Sequence, residues 1–155
     1  MLQKIKNRKE EGFTIIEVLI VLAIAGLILL VVFLAVPALQ RNSRNTSMKN
    51  DVQNVLGGIT EYQNANSGAL PTGVSGTGTI NYTGAAGTNP TSIKVQGTTT
   101  VAVGSAPSGT AGPANGTITV VLGARCDGST NARAVAAYYS IETTSSSTTK
   151  QCQDS

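Results

Sequence analysis

Apolar residues crowd one end of this chain and then give way to two slower rhythms. Over positions 13–39 almost every residue is aliphatic, and after Glu17 no charged residue occurs until Arg41. Positions 18–36 alone make 19 residues, about 28 Å as a helix and close to the roughly 30 Å hydrocarbon core of a bilayer. The pattern then changes instead of stopping. Met48, Val52, Val55, Leu56, Ile59 and Tyr62 recur at three- and four-residue intervals, with Lys49, Asn50, Asp51, Gln53, Asn54 and Glu61 between them. That spacing marks one face of a helix. Together the two stretches predict one helix over 13–66, apolar all round over about 13–39 and amphipathic afterwards. Gly57-Gly58 weakens its last turns by roughly 1 kcal/mol per glycine relative to alanine. Asn66-Ser67-Gly68, followed by Pro71, marks its end.

From position 69 onward Gly, Ser, Thr, Ala and Asn dominate, and positions 70–90 are rich in glycine turns with one short candidate strand at 79–83. Better strand patterns lie at 92–96, 98–103, 117–122 and 134–142, divided by turn signals such as Gln96-Gly97, Pro107-Ser108-Gly109 and Asp127-Gly128. They predict an antiparallel sheet of about four strands. A head of about 90 residues over 67–155 buries a modest core by itself, and the amphipathic stripe is placed to cover one face of the sheet. The expected fold class is therefore α+β: a long N-terminal helix, membrane-spanning in its first half, packed on a C-terminal antiparallel β-sheet head.

Charge sharpens the picture at one point. Glu17 sits five residues into the apolar run. An acid in hydrocarbon costs several kcal/mol unless it is neutralised, so it marks a functional site; the plainer reading places it at the membrane edge, near headgroups. Before it lies a basic prefix with Lys4, Lys6, Arg8 and Lys9 beside Glu10 and Glu11, ending at Gly12. Secretory signals also start basic, but their apolar region is about 7–15 residues and a small-residue cleavage site follows. Val36-Pro37-Ala38 offers such a site, yet the run before it has the length of a span that stays in the product.

These residues resemble the class III signal of type IV prepilins and pseudopilins. In that family a peptidase cuts after a glycine, the new N-terminal residue, commonly Phe, is N-methylated, and a glutamate lies four residues further on. Gly12, Phe13 and Glu17 match those positions, and Thr14 and the aliphatic run also fit. The resemblance covers about 9–39, a quarter of the chain. It implies a leader peptide over 1–12, a type IV pilin-like fold, and assembly into a helical homo-oligomeric filament. It also implies a prepilin peptidase, an assembly ATPase and a membrane platform protein as partners, with adhesion, twitching motility or DNA uptake as outputs. The protomer would wait in the cytoplasmic membrane, N-terminus inside and head outside, and then pass to an extracellular pilus. No cofactor is implied.

The physics of the match stands beside it. A cut after Gly12 creates a charged amine on Phe13, four residues from Glu17 and on the same helix face. Between two chains the amine of one helix can meet Glu17 of the next, and opposite charges cost far less together in an apolar bundle than apart. Such a contact is head-to-tail, and a head-to-tail interface whose rotation does not close yields an open filament. The basic prefix ahead of the span, against Arg41 and Arg44 after it, orients the prefix to the cytoplasm. Pro37 removes a backbone hydrogen bond and Gly26 adds looseness. Each is accounted for by a simple bend; the family resemblance implies a helix that loosens between them during assembly.

Cys126 and Cys152 enclose 25 residues. In an exported domain an even pair reads as a disulfide, worth about 3–3.5 kcal/mol by loop closure; two free thiols are the alternative. Major pilins have a disulfide-bounded C-terminal region of this kind. The Ser/Thr run at 143–149 reads as solvated surface. The chain has no histidine, which excludes a Ser-His-Asp triad, a Cys-His pair and histidine ligation of a metal. No phosphate-cradling glycine loop follows a strand, and the cysteines are too far apart for a redox motif. Asp127-Gly128-Ser129-Thr130-Asn131 starts like a calcium loop but lacks its central glycine and closing acid, so no metal is expected. Sequons occur at Asn45, Asn81 and Asn115, short enough to arise by chance. The net charge of +3 falls to +1 without residues 1–12, and no basic stripe or stacking platform points to nucleic acid. The alternatives are a pseudopilin of a type II secretion or competence system, and a non-polymerising single-span protein with a ligand-binding head.

Overall fold

The structure, a computed structural model describing residues 12–84, 92–144 and 146–155, carries one helix, α1, over Ile15–Ala65. The expected leader, Gly12 apart, lies outside the described residues, as do 85–90 of the glycine-rich stretch and Ser145 of the Ser/Thr run. The chain divides into two compact units, Met1–Gln40 and Arg41–Ser155.

In the first unit the helix is apolar on every side and stands uncovered. Phe13, Phe33 and Leu34 are 83%, 75% and 75% exposed, and the segment is long and apolar enough to cross a membrane. Water is a poor solvent for such a surface, so it needs lipid or other apolar helices around it.

In the second unit the amphipathic stripe makes the core. Met48, Val52, Val55, Leu56, Ile59 and Tyr62 are all buried. They pack with Val74, Ile80, Tyr82, Val101, Ile118, Val120, Val135, Ala137 and Tyr139 of the sheet. The helix ends where expected for a physical reason: Ser67 and Gly68 both take positive φ, 56° and 84°, and the Gly68 N–H closes back on the Gln63 carbonyl at 2.7 Å, as helix C-caps with a left-handed residue do.

The sheet has seven strands: β1 Gly73–Thr77, β2 Thr79–Thr83, β3 Ser92–Lys94, β4 Thr100–Val103, β5 Thr117–Ala124, β6 Thr130–Glu142 and β7 Thr148–Asp154. Their order is β3-β2-β1-β4-β5-β6-β7. This corrects the expected count of about four. Every pairing is antiparallel except β4 with β5, which is parallel, Thr100 opposite Thr117. β1 escapes a pattern search because Gly-Val-Ser-Gly-Thr offers one buried side chain, Val74. β7 escapes because Thr-Thr-Lys-Gln-Cys-Gln-Asp is polar apart from Cys152; two residues of the expected solvated run, Thr148 and Thr149, are exposed members of this edge strand.

The connection from β4 to β5 crosses the sheet and is pinned there. Lys150 Nζ donates to the carbonyls of Pro107, at 3.0 Å, and Gly109, and Ser140 Oγ donates to the Pro113 carbonyl at 2.6 Å. Strand alternation puts Tyr138 and Ser140 on the face opposite Ala137 and Tyr139. Residues 134–140 are buried throughout, with Val135, Ala137 and Tyr139 in the core beside α1 and Ser140 held under this connection.

Gly57 and Gly58 differ sharply in surroundings. A Cβ on Gly58 would overlap the Tyr82 hydroxyl and press on Ile93, whereas one on Gly57 meets nothing within 4 Å. Gly58 lets helix and sheet approach closely, and there burial pushes the Tyr82 hydroxyl's pKa up and keeps it protonated as a donor to the Val55 carbonyl, 3.4 Å away. Gly58→Ala is expected to destabilise the head by about 1–3 kcal/mol through overpacking. Gly57→Ala is expected to stabilise it by about 0.5–1 kcal/mol. Urea denaturation of both variants checks the opposite signs.

Candidate functional site

The start of α1 is built by two side chains. Thr14 precedes the helix and Glu17 lies in its first turn. The Thr14 N–H and hydroxyl both donate to Glu17 Oε2, at 2.9 and 2.7 Å, while the Glu17 N–H reaches Thr14 Oγ1 at 3.4 Å. This is the reciprocal arrangement of a capping box, which satisfies backbone donors that a helix N-terminus otherwise leaves open. The positive end of the helix dipole favours the carboxylate there as well. Glu17 Oε1 accepts no hydrogen bond among the described residues. Gly12 is in exposed coil with open space around it, and Phe13 stands between it and the cap. The structure thus brings Gly12, Phe13 and Glu17 together at one helix end. Thr14 fits the class III pattern in the sequence, but its capping role is what sequence reasoning misses, and Thr three residues before Glu is the signal that finds it.

Gly26 and Pro37 both lie inside α1 with exposed surfaces, and Gly26 has nothing within 4 Å of its missing side chain.

In the second unit, Arg44 on α1 forks onto Glu142 at the end of β6, Nε to Oε1 at 2.9 Å and Nη2 to Oε2 at 2.6 Å. Asn45 matches the Glu142 backbone in both directions, its Nδ2 donating to the carbonyl at 2.9 Å and its Oδ1 accepting the N–H at 2.8 Å. That pairing holds the side chain of the first sequon's asparagine through both amide atoms. About two turns on, Asp51 is 3% exposed and accepts the Gln96 N–H at 3.0 Å and the Thr99 hydroxyl at 2.5 Å. Arg44, Asn45, Glu142, Gln96 and Thr99 line an open groove of about 520 Å³ together with Ser47, Thr98 and Asn115. The hydrogen bonds from Arg44 hold the Glu142 carboxyl below the usual carboxylate range. A lowered carboxylate pKa contributes stability above the unfolded value, about 4.3, and loses it as pH falls through the folded one. Wild-type head is expected to lose more stability than Glu142→Gln between pH about 5 and about 3. The difference is small, as for exposed pairs; denaturation midpoints along that pH series measure it.

Cys126 and Cys152 form a disulfide with Cα atoms 5.7 Å apart, tying the β5–β6 connection to edge strand β7. Asp154 accepts the Cys126 N–H at 2.7 Å. Among the described residues these three side chains make one cluster with metal-ligand chemistry, but its two sulfurs are bonded to each other. Reduction is expected to cost the head about 3–3.5 kcal/mol by the loop-closure argument, read as a lower denaturation midpoint with reductant. Asp127, in the segment read as a plain turn, accepts the Ser129 N–H at 2.8 Å.

Residues 7–33 match the family described as the prokaryotic N-terminal methylation motif. No curated protein and no solved structure matches the chain. The motif is the class III signal, the hallmark of type IV pilins and pseudopilins. It belongs to structural, pilin-type proteins and fits a membrane-anchored precursor processed by a prepilin peptidase.

Proposed function

We propose that this pilin-like protein is the structural subunit of a type IV pilus-like surface filament. It is stored in the cytoplasmic membrane, cut after Gly12, N-methylated on Phe13 and polymerised through α1. The observation that carries the reading is the match at residues 7–33 lying over a helix whose apolar surface the protein itself leaves uncovered. Lipid covers that surface in the precursor and neighbouring helices cover it in the fibre. The capping box supports a division of labour at Glu17: Oε2 is spent on the helix's own start, and Oε1 remains for the amine of an adjoining protomer. Gly26 and Pro37 are the positions where the helix loosens as it leaves lipid. The assembly ATPase and platform protein act on this helix, with adhesion, twitching or DNA uptake as the filament's work. A disulfide-bounded C-terminal region favours a pilin over a pseudopilin of a secretion or competence system.

Intact-mass analysis and N-terminal sequencing of sheared surface filaments test the proposal. Chains beginning at methylated Phe13 are the expected result. Chains retaining the basic prefix, found only in the membrane, would leave a non-polymerising single-span protein.

A further inference from the structure

We propose that Asn115 is a site of spontaneous covalent modification, where closure of its side chain onto the Gly116 nitrogen converts a neutral amide at the groove's rim into aspartate or isoaspartate. The Gly116 backbone nitrogen, after yielding its proton to base, attacks Asn115 Cγ. A C–N bond forms, the Cγ–Nδ2 bond breaks, and ammonia leaves with a proton. Water then opens the resulting succinimide at either carbonyl, giving aspartate or an isoaspartate whose backbone runs through the former side chain.

Three observations place this chemistry here. Asn115-Gly116 is the one Asn-Gly pair in the sequence, so only at this asparagine is the attacking nitrogen unshielded by a following side chain. The pair occupies the centre of a turn closed by the Thr117 N–H on the Ala114 carbonyl at 2.9 Å. Gly116 has φ of +76° and Asn115 is not among the positive-φ residues, the signature of a type II turn. Finally, the peptide unit between the two residues makes no backbone hydrogen bond among the described residues. The neighbouring Gly116 carbonyl does, accepting the Thr100 N–H at 2.8 Å. The central peptide can therefore rotate to bring nitrogen and Cγ together without breaking either anchoring bond. Only glycine tolerates both signs of φ through that rotation, and a Cβ at Gly116 would meet nothing closer than the Thr98 carbonyl at 3.6 Å.

Three of the other asparagines are also held by side-chain hydrogen bonds. Asn45 is bonded through both amide atoms, Asn66 donates to the Tyr62 carbonyl at 2.7 Å, and Asn131 accepts the Arg133 N–H at 3.0 Å. Asp127-Gly128 has the right neighbour, but the Ser129 hydrogen bonds favour its ionised carboxylate, whose Cγ is a poor electrophile with no water to expel. Modification at Asn115 adds one negative charge to a groove that also holds Arg44 and Glu142. Isoaspartate also inserts a methylene just before Thr117, where the parallel pairing with Thr100 begins.

The test incubates the purified full-length protein in mildly alkaline and mildly acidic buffer, with a urea-unfolded sample alongside, and maps peptides by mass spectrometry with isoaspartyl methyltransferase labelling. Expected is base-accelerated conversion concentrated at Asn115, with isoaspartate exceeding aspartate. The folded rate should stay within about tenfold of the unfolded rate, equivalent to a peptide rotation costing about 1.4 kcal/mol or less. Asn115→Gln should abolish the isoaspartate signal, and this exposed substitution leaves Gly116 and the turn unchanged. A folded rate more than about a hundredfold below the unfolded one, conversion to aspartate alone, or an intact Asn115 carrying a glycan on its sequon would each overturn the proposal.

Discussion

Glu17→Gln is expected to insert in the membrane and be cut after Gly12, yet to yield at least a hundredfold fewer filaments than wild type. Glutamine keeps an amide oxygen that accepts from the Thr14 N–H and hydroxyl, so the cap at the start of α1 survives while the charge does not. What disappears is the partner for a neighbour's terminal amine. Leaving one member of a buried ion pair uncompensated costs about 3–5 kcal/mol, which at 1.4 kcal/mol per tenfold weakens each contact by roughly two to three and a half orders of magnitude. Thr14→Val supplies the contrast. It removes the hydroxyl and keeps the carboxylate, weakening the helix start by about 1 kcal/mol, and filaments should persist. Counting sheared filaments by electron microscopy separates the two. Wild-type numbers in Glu17→Gln, or their loss in Thr14→Val alone, would move the role of this acid from pairing to capping.

Gly12→Ala is expected to leave the chain uncut, with the processed fraction falling by more than about tenfold, the lower end of what a snug pocket extracts from one added carbon. The structure makes this substitution informative. Gly12 lies in exposed coil with nothing within 4 Å of an added Cβ, so alanine strains neither the cap nor the helix. Any loss of cutting then reports on the peptidase's reading of the scissile backbone. The uncut chain keeps Lys4, Lys6, Arg8 and Lys9, never forms the amine on Phe13, and should assemble no filaments. Immunoblotting for the shift in chain length checks the fraction processed.

The helix was legible because its signals are dense and local. An uninterrupted apolar run, then a stripe from Met48 to Tyr62 at helical spacing, then Asn66-Ser67-Gly68 as a stop leave little else to fold. The head was only partly legible, for identifiable reasons. Val74 is the sole buried side chain of β1, and β7 contributes mostly backbone pairing and a cysteine, so neither strand shows a period of two. Parallel pairing of β4 with β5 has no signature in either strand. It could be argued only from the connection between them, 13 residues from Gly104 to Gly116, far longer than a hairpin loop and long enough for a crossover. At the candidate site the charge pattern exposed Glu17, and the resemblance to the class III signal pointed to Gly12 and Phe13, while the capping role of Thr14 stayed hidden inside what reads as part of the apolar run. Its role depends on being the residue just before the first helical turn, a boundary that periodicity places only to within a few residues.

Helical reconstruction of the assembled fibre at side-chain resolution tests the central claim most directly. The account predicts that the terminal nitrogen of one protomer's Phe13 lies within hydrogen-bonding distance of Glu17 Oε1 in the next, with Thr14 still on Oε2. Protomers stacked with those two groups far apart, each neutralised inside its own chain, would contradict it.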